Sequence, residues 1–191
     1  MNKEDIIALP NASLRSKSKR VGIVSDEIKK IVEDMKSATV SWDKSRKHEV
    51  GVALAAVQID KLYRIVIVRN NFEDKDDTSF TAFINPKITK FEGKIEKDYE
   101  GCLSVKDIYG LVPRYNKVRV KAIDLDGKEF RVTAEGFLAR IFQHEIDHTN
   151  GIMFIDHIKN DPDAFFKLDK NGELEKLDYS ADVSENNILW Q

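Results

Sequence analysis

The chain has 191 residues, 41% of them hydrophobic and 34% charged, with a formal net charge of −2. This fits one domain with a sizeable core and a heavily charged surface, and gives no reason to expect nucleic-acid binding. No apolar run approaches the ~20 residues needed to cross a bilayer, and Cys102 as the only cysteine rules out an intrachain disulfide. The first residues lack the charged-then-apolar pattern of a signal peptide, so a cytoplasmic location without a membrane partner is expected.

Residues 1–20 are rich in Lys and Arg. They read as a partly ordered arm with a turn at Leu9-Pro10-Asn11 and an anchor at Leu14. Ser25 has the chemistry of an N-cap, and Asp26 and Glu27 suit the first turn of a helix. Ile28, Ile31, Val32 and Met35 repeat at helical spacing and predict a helix over 26–38. Residues 39–50 are polar and predict an exposed loop, with His48 facing solvent and idle.

The stretch Gly51-Val52-Ala53-Leu54-Ala55-Ala56-Val57-Gln58 is small and apolar and ends in an amide. Two readings stay open. It is a buried strand or turn whose Gln58 bonds to backbone, or a place where small residues let a substrate approach the main chain. In the second reading Gln58 supplies an N–H donor. Tyr63 to Arg69 predicts a strand, Asn70 to Thr78 an acidic loop, and Ser79 to Ile84 a strand ended by Asn85-Pro86. Ile88, Phe91 and Ile95 suggest a further extended region with Gly93 at a bulge. Lys117 to Ile123 and Phe130 to Ala134 predict a hairpin about Asp126-Gly127.

Phe137 to Ile146 reads as a buried helix closed by Asn150-Gly151, with Arg140 extending outward to water. Residues 152–160 predict an apolar strand or short helix in which His157 is structural, and Asp161-Pro162 breaks the chain. From 171 onward acids dominate and few apolar residues remain except Ile188, Leu189 and Trp190. This reads as a loosely held acidic tail, 171–191, after a single domain of residues 1–170.

Chemistry concentrates in Gln143-His144-Glu145-Ile146-Asp147-His148. Residues four apart share a helix face, so His144 and His148 can offer two imidazole nitrogens to one metal ion. Glu145 points to the side, where a carboxylate can take a proton from water without ligating, as in the H-E-x-x-H metallohydrolases. A catalytic site of this kind needs three protein ligands and one open position. Cys102, in Glu100-Gly101-Cys102-Leu103-Ser104, is the only thiol that can complete it. Leu103 then offers its N–H at the same place, and Glu100 either orients a ligand histidine or caps a turn. A metallopeptidase using His157 as third ligand and a non-catalytic module with a closed structural metal are the rival readings.

Three segments in order, Gly51 to Gln58, Glu100 to Ser104 and Gln143 to His148, resemble the motifs of the peptide deformylase family. The likeness spans roughly residues 5–170. Ala53 stands where the family commonly has glycine, and Val57 where proline or another residue is usual. The resemblance implies an α+β fold, with antiparallel β-strands packed around a central α-helix carrying the H-E-x-x-H motif. It implies removal of the N-formyl group from N-terminal formylmethionine of newly made polypeptides, with release of formate. Cys102, His144 and His148 would hold one divalent metal, Fe(II) being usual and Zn, Ni or Co accepted. Glu145 would carry the proton, and Gln58 and the Leu103 N–H would stabilise the oxyanion. Gly51, Val52 and Arg114 would contact the peptide main chain, with a surface salt bridge as the alternative for Arg114. Phe137 and Ile141 would border the methionine pocket. N-formylmethionyl peptides and the ribosome near its exit tunnel are the partners this implies.

Overall fold

A computed structural model describes residues 1–46, 48–74, 76–169 and 171–180. Two α-helices and seven strands emerge: α1 (Asp26–Asp43), β1 (Ala53–Ala55), β2 (Ile65–Arg69), β3 (Phe80–Cys102), β4 (Val105–Ile123), β5 (Glu129–Glu135), α2 (Gly136–His148), β6 (Phe165–Leu168) and β7 (Leu174–Lys176). All strands pair antiparallel in one sheet, in the order β1-β2-β3-β4-β6-β7, with β5 also on β4. The architecture is thus mixed helix and antiparallel sheet.

The run Ile65-Val66-Ile67-Val68 explains how the layers stack. Side chains alternate across a strand. Ile65 and Ile67 pack with Ile28, Val32 and Met35 of α1, while Val66 and Val68 pack with Ile141, Phe142 and Ile146 of α2. A strand covered on both faces reads as an unbroken apolar run rather than an alternation. A third cluster gathers Leu14, Val112, Phe154, Ile155 and Phe165.

Three elements run further than the sequence pattern indicates. Ser25 caps α1 as expected, accepting from the Ile28 N–H, but the helix continues to Asp43 through the expected loop. Thr39 and Asp43 are buried there, and Asp43 pairs with the buried Arg69. Asn85-Pro86 does not end a strand. It lies in a register shift of β3, where Pro is tolerated because the ladder is already interrupted. The Asn85 side chain takes over, accepting from the Val21 N–H and donating to the Val21 carbonyl. A further shift between Glu92 and Ile95 brackets Gly93, and β4 begins at Val105, well before the expected Lys117, so Val112-Pro113-Arg114 lies inside it.

The start of the supposed loose tail is structured. β7 pairs with β6, Leu177 is buried beside Phe165, and the Tyr179 ring packs at a tilt against Phe165. Residues 181–191, including Ile188, Leu189 and Trp190, lie outside the described residues.

Candidate metal centre and active-site cleft

The β3–β4 hairpin turns tightly, with Cys102 opposite Val105. That puts the thiol at the end of a long rigid strand, facing α2. On α2 the two imidazoles share one face, ring centroids 4.8 Å apart. Cys102 Sγ lies 3.3 Å from His148 Nε2, which lies 3.1 Å from His144 Nε2. All three donor atoms fall within 4.8 Å of one another. Ligands of one tetrahedral ion at ~2.0–2.3 Å stand about 3.3–3.6 Å apart, so the set fits a single divalent cation.

The surroundings fit too. Cys102 and Glu100 raise His144 well above its ordinary pKa although burial works against it. His148 is pushed well below its ordinary value by burial, with the neighbouring His144 adding to the effect, which leaves it the neutral imidazole a metal needs.

Glu100 orients the first imidazole: its Oε2 is 3.0 Å from His144 Nδ1. An Nδ1–H bonded there leaves Nε2 free to ligate. Glu100 is in turn gripped by Arg114 (2.9 and 3.1 Å) and Arg140 (2.8 Å). Burial opposes ionisation, yet the bonds from His144 and Arg114 hold the Glu100 carboxyl well below the carboxylate range. Arg114 also donates to Asp147 Oδ2 at 2.5 Å, and Asp147 meets His157 at 2.7 Å.

This network corrects two expectations. Arg114 is buried and bound by Glu100 and Asp147, so it is neither a peptide contact nor a surface salt bridge. Arg140 does not extend to water. It is 6% exposed and donates to the carbonyls of Val112 (2.7 Å) and Glu96 (2.9 Å) as well as to Glu100. A guanidinium with five donors can satisfy strand carbonyls and a carboxylate together, so burial here leaves no charge unpaired.

Glu145 is buried, its Oε2 has no hydrogen-bond partner among the described residues, and burial pushes its carboxyl up to about 7. It lines a cleft of about 380 Å³ that also reaches Cys102, His144, Gln58, Leu103, Val52, Phe137 and Ile141. Gln58 is buried and bonds to backbone, as its first reading expects. Its Oε1 accepts from the Ala55 N–H at 2.9 Å, while its Nε2 lies 3.1 Å from Ser104 Oγ and 3.5 Å from Cys102 Sγ.

Gly51, expected to face the peptide, is outside the cleft. Its N–H donates to Asp43 and its carbonyl accepts from Arg69. A Cβ there would stand 2.7 Å from Thr39 Cγ2, so the glycine serves close packing against α1. Ala53 lines the cleft, whereas Val57 is buried in the core. His48 is exposed, as expected, and also lines the cleft, as do Trp42, Tyr99, Tyr109, Leu168, Gly172 and Leu174. The Tyr109 hydroxyl donates to Glu49. The length of β4 is the signal that would have brought Tyr109 in, since a strand starting at Lys117 leaves it in a connection.

A thiol, two imidazoles and a buried carboxylate converging on one cleft define a metal-dependent hydrolase. Comparison with known proteins narrows this. The family model described as "Polypeptide deformylase" matches residues 3–163. A peptide deformylase of Thermomicrobium roseum is 41% identical over 158 residues, covering 81% of this chain and 85% of that protein. Peptide deformylase 1 of Clostridium perfringens is 42% identical over 144 residues, 75% of this chain and 90% of the relative. Among solved structures, a peptide deformylase from Synechococcus elongatus in complex with actinonin superimposes with a TM-score of 0.72 at 33% identity, over 82% of this chain and 80% of that one. The chain belongs to the polypeptide deformylase family.

Proposed function

We propose that this chain hydrolyses the formamide of N-terminal formylmethionine on newly made polypeptides, releasing formate and a free amino terminus. The observation that carries the reading is the convergence of Cys102, His144 and His148 within 4.8 Å beside the unpartnered Glu145 carboxylate. Residues 1–170 act as one catalytic unit whose strands are arranged about α2, and the acidic segment from 171 packs onto it through β7, Leu177 and Tyr179.

Cys102, His144 and His148 would hold one divalent cation, Fe(II) in the cell, with Zn, Ni or Co able to replace it. When bound, the cation supplies Lewis-acid polarisation of the formyl oxygen and makes water nucleophilic at neutral pH. Glu100 keeps His144 in the ligating tautomer. The Glu145 carboxylate takes the proton of the attacking water and passes it to the amine nitrogen as the C–N bond breaks. The Gln58 side-chain amide and the Leu103 N–H donate to the oxygen that gains charge as the formyl carbon becomes tetrahedral; one such donor is worth ~2.7–4 kcal/mol. Phe137 and Ile141 border the methionine side chain, and Val52 contacts the peptide main chain. The enzyme works in the cytoplasm, on chains emerging near the ribosomal exit tunnel.

The test is formate release from formyl-Met-Ala-Ser by anaerobically prepared protein, with metal determined on the same sample. Turnover proportional to a metal content approaching one per chain is expected. Metal-loaded protein that releases no formate would overturn the reading.

A further inference from the structure

The family match ends at residue 163, yet the β6–β7 hairpin beyond it forms part of the cleft wall. β6 pairs with β4 at Tyr109 and Gly110, and β7 folds back on β6 with Leu168 opposite Leu174. Alternation splits the hairpin into two apolar faces. Phe165 enters the core with Leu177 and Tyr179. The opposite face carries Phe166, Leu168 and Leu174. Phe166 meets Tyr99 edge-on at 5.0 Å, and Tyr99, Leu168 and Leu174 all line the cleft.

The described residues of the hairpin tip are tied by hydrogen bonds and close packing. The Asp169 carboxylate accepts from the N–H groups of Asn171 and Glu173, each at 2.8 Å. Gly172, at φ +85°, rests on His48: a Cβ there would stand 2.9 Å from the ring Cγ. His48 lines the same cleft. The hairpin is therefore joined to both sides of the site, to β4 at its base and to the His48 segment at its tip.

We propose that this hairpin is a specificity element, and that Leu168 and Leu174 form an apolar subsite for the third residue of the formylated peptide. The inference rests on the deformylase reading above. In an extended peptide the first and third side chains share a face, about 7 Å apart. With the methionine side chain against Phe137 and Ile141, the third side chain turns back toward the cleft. Leu168 and Leu174 are half-buried. An apolar side chain laid on them removes carbon surface from water on both partners, and a polar one gains nothing comparable. The occupant is the substrate because this apolar face is continuous with the cleft that holds Glu145 and Cys102.

The test compares kcat/KM for formyl-Met-Ala-Leu with that for formyl-Met-Ala-Ser on metal-loaded enzyme. Wild type is expected to prefer the leucine peptide about tenfold, as burial of one leucine side chain allows. In L168S/L174S that ratio falls toward one, with KM carrying the change. Leu168→Ala, the milder substitution, gives an intermediate ratio and serves if the double variant melts early. A wild-type ratio near one, or variants that keep the wild-type ratio, would overturn the subsite. Wild-type enzyme silent on both peptides would overturn the deformylase reading with it.

Discussion

On the solvent face of the β3–β4 hairpin, Glu92 takes Arg119 and Lys90, and Lys117 takes Glu135 across to β5. Behind the cleft, Glu100 takes Arg114, Arg140 and His144 with almost no access to water. Both are carboxylates bridging basic side chains. In the first, water screens each charge and a lost partner is replaced by solvent. In the second, each ion depends on the others, and losing one strands the rest. The exposed set holds strands weakly and keeps the surface charged. The buried set fixes the tautomer and position of a metal-binding imidazole.

The largest expected effect belongs to the buried carboxylate left out of any pairing. Glu145→Gln should retain metal and lose roughly 10²–10⁴-fold in turnover, read by formate release on metal-quantified protein; near-full turnover would remove Glu145 as proton carrier. Next is Glu100→Ala, which removes the carboxylate shared by Arg114 and Arg140 and leaves Arg114 with Asp147. It should cost about 3–5 kcal/mol in urea unfolding and weaken metal binding roughly 10–100-fold by chelator competition. Arg140→Met should cost less, about 2–3 kcal/mol, because the carbonyls of Val112 and Glu96 lose a charged donor while Arg114 still holds Glu100.

The smallest effect tests the other side. Hydrogen bonds from Arg119 and Lys90 hold the Glu92 carboxyl at about 2. A depressed carboxylate stabilises the fold above its unfolded pKa, near 4.3, and that contribution disappears as pH falls toward 2. Solvent exposure shrinks it, so at pH 7 Glu92→Gln should melt within a degree or so of wild type, the two converging further on acidification. A Glu92 variant as unstable as the Glu100 one would erase the distinction between the two networks.

The donor set was legible because its spacing is local: His144 and His148 follow from one helical turn, and Cys102 from being the only thiol. The strands of β2, the β4–β5 hairpin and α2 were legible from apolar periodicity and turn chemistry. What escaped the sequence depends on contacts between distant segments. Arg140 reads as a surface residue until β3 and β4 bring carbonyls and Glu100 to it. Asp43 lies in a polar run, and only Arg69, 26 positions later, makes it a buried helix end. Leu168 and Leu174 sit in charged sequence with no motif, and only the pairing of β6 onto β4 turns them to the cleft.

X-ray absorption at the zinc edge, on anaerobic protein loaded with one Zn(II) per chain, bears most directly on whether the strand-end sulfur joins the helix imidazoles. One sulfur scatterer at about 2.3 Å with nitrogen or oxygen scatterers near 2.0–2.1 Å is expected. A spectrum with nitrogen and oxygen alone would place Cys102 outside the metal's reach and contradict the centre described here.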